Sequence, residues 1–136
     1  MPRRVPVFFY GLFMDADLLR EQGVEPTDWR LASLRGFSIR IGARATLVPN
    51  ERGVVYGMLI DLTHGEIETL YSAPGLRPYQ PEAVLCELEG DARIAALCYT
   101  LPEPPAPGER NPDYADRLRA LGRRLGLPAA YVDGIE

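Results

Sequence analysis

The chain has 136 residues, 46% of them hydrophobic and 25% charged, which suits one soluble domain with a real core. Its net charge of −4 and pI near 5.1 argue against a sequence-independent nucleic-acid binder and against electrostatic attachment to an anionic membrane. No apolar stretch is long enough to span a bilayer.

Met1-Pro2-Arg3-Arg4 ahead of an apolar run imitates a secretory signal. Asp15 and Asp17 follow at once, and no small-x-small cleavage site appears, so the expected compartment is the cytoplasm. Val5 to Phe9 is a short run rich in β-branched and aromatic residues, which reads as a buried strand. It stops at Gly11, where the backbone can turn sharply or be approached closely. Asp15 offers an N-cap for a helix over Ala16 to Arg20. Strand, glycine, short loop and capped helix together expose backbone N–H groups, which suit a carboxylate or a developing oxyanion. The residues that would line this place are Tyr10, Gly11, Leu12 and Phe13.

Residues 22 to 28 read as a loop, and from Trp29 the pattern becomes strand-like, with Phe37, Ile39 and Ile41 alternating against polar residues. Gly42 marks a bulge or bend, Ala45 to Val48 a short strand, Pro49 to Gly53 a turn, and Val54 to Leu62 a strong strand. Gly57 inside that strand would let a neighbouring backbone or ligand come close. Thr63-His64-Gly65-Glu66 is a capping box that starts a short helix through Tyr71. The lone histidine, His64, therefore reads as part of a cap.

Tyr79 to Glu89 and Ala92 to Leu101 form a hairpin around Gly90-Asp91. A two-residue loop there would set Cys86 opposite Ala95 and Cys98 opposite Ala83, with the thiols on opposite faces. One more loop residue would put them diagonally on one face, and reduced core cysteines are expected either way. The proline-rich arm at 102–112 is extended and packs on the surface. A helix at 112–125 follows, opened by Asn111-Pro112 and closed by Gly126 and Pro128. Tyr114, Leu118, Leu121 and Leu125 form its apolar stripe, and Arg117, Arg119, Arg123 and Arg124 read as a solvated face. Ala129 to Val132 adds a short turn. Residues 1–136 are expected to form a single α+β domain around a small curled mixed or antiparallel sheet or barrel.

Tyr10-Gly11-Leu12-Phe13-Met14-Asp15 resembles the Tyr-Gly-Ser/Thr-Leu loop that opens gamma-glutamylcyclotransferase-like domains, with Leu12 in place of the usual small hydroxyl residue. Leu34 to Phe37, Ala43 to Pro49, Val54 to Leu59 and Asn111 to Val132 resemble later parts of the same family. The resemblance implies a compact β-barrel with helices against it. It also implies an intramolecular acyl transfer, in which the α-amine of a γ-glutamyl group attacks its own γ-carbonyl. That releases an amine and forms 5-oxoproline, with no metal and no cofactor. The reaction needs a folded substrate, a base for the ammonium, and backbone donors for the carboxylate and oxyanion.

The family's glutamate base falls on Tyr71 here, in Ile67-Glu68-Thr69-Leu70-Tyr71-Ser72. A tyrosine, with an ordinary pKa of about 10, is a poor base near neutrality. Glu68, one turn earlier, and Glu82, on the strand after Tyr79, are the replacement candidates if either points inward. The expected partner is a small molecule with a carboxylate, and the residues specify no oligomeric state. Three readings follow: a gamma-glutamylcyclotransferase-like enzyme with a displaced carboxylate, a domain that binds a small carboxylate or amide without turnover, and a scaffold working through the proline-rich arm.

Overall fold

The computed structural model describes residues 3–136; Met1 and Pro2, where the signal-like start begins, lie outside them. Strand β1, Arg4–Phe9, carries the apolar run, and Val7, Phe8 and Phe9 are all buried. A strand apolar on consecutive residues must be covered on both faces. A single 3-10 turn, Leu12–Met14, follows in place of an open loop. Helix α1, Ala16–Glu21, then starts at Asp15, whose carboxylate accepts from the Asp17 amide at 3.0 Å.

Strand β2, Thr27–Ile41, and strand β3, Ala45–Thr63, are longer than the pattern predicts. The expected turn at Pro49 to Gly53 is not a hairpin end. Arg35 pairs with Val54 and Phe37 with Pro49, so the intervening residues of β3 bulge outward within one continuous strand. The true hairpin lies at Gly42, whose amide donates to the Arg44 carbonyl at 3.0 Å. Gly57 does admit a neighbouring backbone: a Cβ there would stand 2.2 Å from the Phe9 carbonyl oxygen.

Helix α2, His64–Tyr71, begins with the capping box. Glu66 donates its amide to Thr63 Oγ1 at 3.1 Å, and the Thr63 amide donates to Glu66 Oε1 at 2.9 Å. Strands β4, Gln80–Glu87, and β5, Arg93–Thr100, are joined by a 3-10 turn, Glu89–Asp91, so the loop has three residues rather than two. Cys86 therefore faces Ile94 and not Ala95, and Cys98 faces Glu82 and not Ala83. Both thiols lie on one sheet face, separated by about 13 Å along the strands, and both are free and buried.

The sheet closes into a barrel in the order β1-β3-β2-β4-β5, antiparallel throughout except where β1 runs parallel to β5 at Val7 and Leu97. Helix α3, Pro112–Leu125, is capped by Asn111 and ends on Gly126 at φ 84°. It buries Ala115, Leu118 and Leu121, while Leu125 is only half-buried. Helix α4, Ala129–Asp133, packs beside it through Val132. The proline-rich arm lies along the barrel: Arg40 donates to the Pro105 carbonyl at 3.4 Å, and Asn111 donates to the Gly42 carbonyl at 3.0 Å. Among the described residues, no helix is long and apolar enough to cross a membrane.

Candidate functional site

A hollow of about 350 Å³ opens where β1 ends, and Tyr10, Gly11, Leu12 and Phe13 all line it. Five of the seven tyrosines converge there: Tyr10, Tyr71, Tyr79, Tyr99 and Tyr114. Each comes from a different element. Tyr10 follows β1, Tyr71 ends α2, Tyr79 precedes β4, Tyr99 lies in β5 and Tyr114 opens α3. Tyr99 arrives through the parallel pairing of Val7 with Leu97, which sets Phe9 beside Tyr99 two residues further along.

The tyrosines hold one another. Tyr71 stacks on Tyr99 with ring centroids 4.0 Å apart and planes at 14°. Phe13 meets the Tyr71 ring edge-on at 6.5 Å, and Tyr79 tilts against it at 6.0 Å. Tyr10 donates its hydroxyl to the Tyr99 carbonyl at 2.7 Å, and Tyr79 donates to the Ala45 carbonyl. Burial pushes the phenols of Tyr10, Tyr71, Tyr79 and Tyr114 above their ordinary range. They are neutral at physiological pH, so they act as donors and apolar walls and not as bases.

The backbone donors are less open than the sequence suggests. They belong to the 3-10 turn and not to the N-terminus of α1, which Asp15 caps. The Leu12 amide already donates to the Tyr114 hydroxyl at 3.3 Å. Among the described residues, no acceptor pairs with the Gly11 or Phe13 amide. Leu12 and Tyr71 form walls of the hollow and do not fill it.

Neither candidate base reaches this place. Glu68 is exposed, because α2 turns Ile67 and Leu70 toward the core and leaves Glu68 and Thr69 to solvent. Glu82 is also exposed and lines a separate hollow with Phe37, Pro81 and Thr100. The inward placement on which both depended is thus not found. Among the described lining residues of the tyrosine hollow there is no carboxylate and no histidine.

One charged group does line it. Arg117 stands one turn after Tyr114 on α3 and lowers the Tyr114 phenol against the larger upward effect of burial. Among the described residues Arg117 forms no salt bridge, whereas its neighbour on the helix, Arg124, pairs with Asp15 at 3.3 Å. Arg117, Arg123 and Arg124 are exposed and Arg119 is half-buried, as the solvated reading of these arginines expects, and Arg117 also borders a neighbouring hollow with Asp15, Asp17 and Glu21. Tyr99, Tyr114 and Arg117 escape the sequence reading. The spacing of Tyr114 and Arg117, three apart on one helix, is the signal that could have paired them.

No protein-family model matches this chain, and no curated protein does. Solved structures do. A protein of Arabidopsis thaliana solved in solution is 27% identical, with 90% of this chain and 87% of that one covered, at a TM-score of 0.67. A protein named gamma-glutamyl cyclotransferase is 17% identical over 98% of this chain and 89% of its own, with a TM-score of 0.78. An AIG2-like protein of Mus musculus is 14% identical, with 82% of each chain covered and a TM-score of 0.57. The chain has the gamma-glutamyl cyclotransferase-like fold, an α+β barrel with helices against it.

Proposed function

We propose that this domain binds a small molecule carrying a carboxylate in the hollow beside Gly11, and that it does so without turnover. The reading rests above all on the lining: among the described residues it holds Arg117, the amide of Gln22, no acid, and a wall of neutral phenols. A carboxylate meeting Arg117 gains a charge-assisted hydrogen bond, and the amides of Gly11 and Phe13 add donors of the same sign. Partial enclosure by aromatic rings strengthens both, because the local dielectric is lower than that of water.

The intramolecular acyl transfer that the fold brings to mind needs a group to take a proton from an ammonium. Tyr71 holds its own proton well beyond neutrality, first because it is buried and then because Cys98 and other phenols crowd it. The name of one neighbour of the same fold makes γ-glutamyl amines and amides the substrates to try first. Incubation with a panel of these, assayed for 5-oxoproline, should give none above the spontaneous rate. Calorimetric titration with small carboxylic acids should show saturable binding. Product formation would overturn the absence of turnover, and a panel with no binder would overturn the ligand site.

A further inference from the structure

The geometry points to a second copy of this chain as a partner: two β4 strands pair antiparallel, edge to edge, about Ala83. The pairing is independent of any ligand in the tyrosine hollow.

Most of β4 has a strand on one side only. The Leu88 amide donates to the Ala92 carbonyl at 2.7 Å. Backbone groups alternate along a strand, so the even-numbered residues of β4 bond to β5, and the N–H and C=O groups of the odd-numbered ones point away from it. Among the described residues, only Glu87 finds a strand there, pairing with Ser33 of β2. Just beyond, β2 is turned aside at Gly36, with φ 91° and a shift of register between Arg35 and Phe37. A hollow of about 320 Å³ separates Phe37, Leu47 and Pro49 from Pro81 and Glu82. The carbonyls of Pro81, Ala83 and Leu85 and the amides of Ala83 and Leu85 are thus left without a strand partner among the described residues. Gln80 to Ala83 are all exposed, and Leu85, at 53%, is the most exposed large apolar side chain among the described residues.

This edge complements itself. With a two-fold axis at Ala83, the two Ala83 residues exchange N–H···O=C bonds, and each Leu85 amide meets the other copy's Pro81 carbonyl. Pro81 has no N–H, so no donor is left over. The same register lays Leu85 on the partner's Pro81 on one face and Glu82 beside the partner's Val84 on the other. Any extended segment satisfies the free amides; a second copy also returns the Leu85–Pro81 contact twice. The two Glu82 residues fall on diagonal positions, about 7–8 Å apart at their backbones, and their charges repel. So short an edge, with a proline and like charges on it, makes a weak, reversible contact, well below the ~1,600 Å² of a stable interface.

The test is analytical ultracentrifugation of the full chain from micromolar to millimolar concentration, with hydrogen exchange of the Ala83 and Leu85 amides followed over the same range. A monomer–dimer equilibrium is expected. Both amides should exchange more slowly as concentration rises, while that of Val84, already bonded to β5, stays unchanged. Leu85→Lys, at an exposed position, should weaken the dimer by about tenfold or more with the melting curve of the monomer unmoved. Glu82→Gln should tighten it severalfold, and less so in high salt. A chain still monomeric at millimolar concentration overturns the proposal and leaves the edge to an extended segment of another protein. Dimers that survive Leu85→Lys, or that leave both amides exchanging freely, sit on another face and overturn it too.

Discussion

The hydroxyl of Tyr114 occupies the space that Gly11 leaves by having no side chain: a Cβ on Gly11 would stand 2.5 Å from Tyr114 Oη and 3.8 Å from its Cζ. The backbone at Gly11, with φ −111° and ψ −152°, is extended and open to any residue. Glycine is required there for the close approach and not for its freedom. The same hydroxyl accepts from the Leu12 amide, so α3 and the turn after β1 are joined through one oxygen.

This pair predicts a non-additive double-mutant cycle. Gly11→Ala pushes the Tyr114 ring outward and should cost about 1–3 kcal/mol. Tyr114→Phe removes one hydrogen bond and should cost about 1 kcal/mol. In the Tyr114→Phe background, Gly11→Ala should be nearly neutral, since the remaining ring carbon is at ordinary contact distance. Urea denaturation of the four proteins reads the coupling; strictly additive costs would mean that the clash is relieved elsewhere.

Tyr71 forms a wall of the hollow, which no carboxylate lines among the described residues. Tyr71→Glu places a carboxyl among four phenols in a half-buried wall, which should raise its pKa above the ordinary glutamate range. The loss of stacking on Tyr99 should lower stability by about 1–3 kcal/mol. With a base installed, 5-oxoproline should form from γ-glutamyl amines where the parent chain yields none. A folded but inert variant would show that the missing base is not what separates this hollow from turnover.

Glu66 gathers three elements. Its carboxylate accepts from the Thr63 amide at 2.9 Å, from Arg4 at 3.2 Å and from the Glu25 amide at 3.1 Å. Burial alone would raise its pKa, but the two backbone donors and Arg4 outweigh that effect and hold it below the ordinary value. A carboxylate depressed by folding contributes stability above its unfolded pKa, about 4.3, and loses that contribution as the pH falls through the folded value. Glu66→Gln should therefore cost about 1–3 kcal/mol at pH 7, with the gap to the parent narrowing in acid. Melting curves taken from neutrality down into the acid range test this; a gap that widens on acidification would reverse the assignment.

Much of the architecture was legible because local rules carried it. The capping box at Thr63 and Glu66, Asn111 and Pro112 opening α3, and Gly126 closing it all depend on residues within four positions of one another. Strand pairing was harder. One extra residue between β4 and β5 moved every cross-strand partner, including those of Cys86 and Cys98. Pro49 to Gly53 carry turn-type residues, yet they form a bulge inside β3 and not a turn, because β2 continues past them.

Composition and local pattern by themselves pointed to an α+β domain around a small curled sheet or barrel, with a backbone break at Gly11. Only the closed sheet decided that five tyrosines from distant positions meet at that break, because parallel pairing of β1 with β5 and the docking of α3 are long-range events with no local signature. The tertiary structure likewise turned Glu68 and Glu82 away from the hollow and left Arg117 at its edge. Which way a side chain faces depends on what its element packs against, and that partner lies elsewhere in the chain.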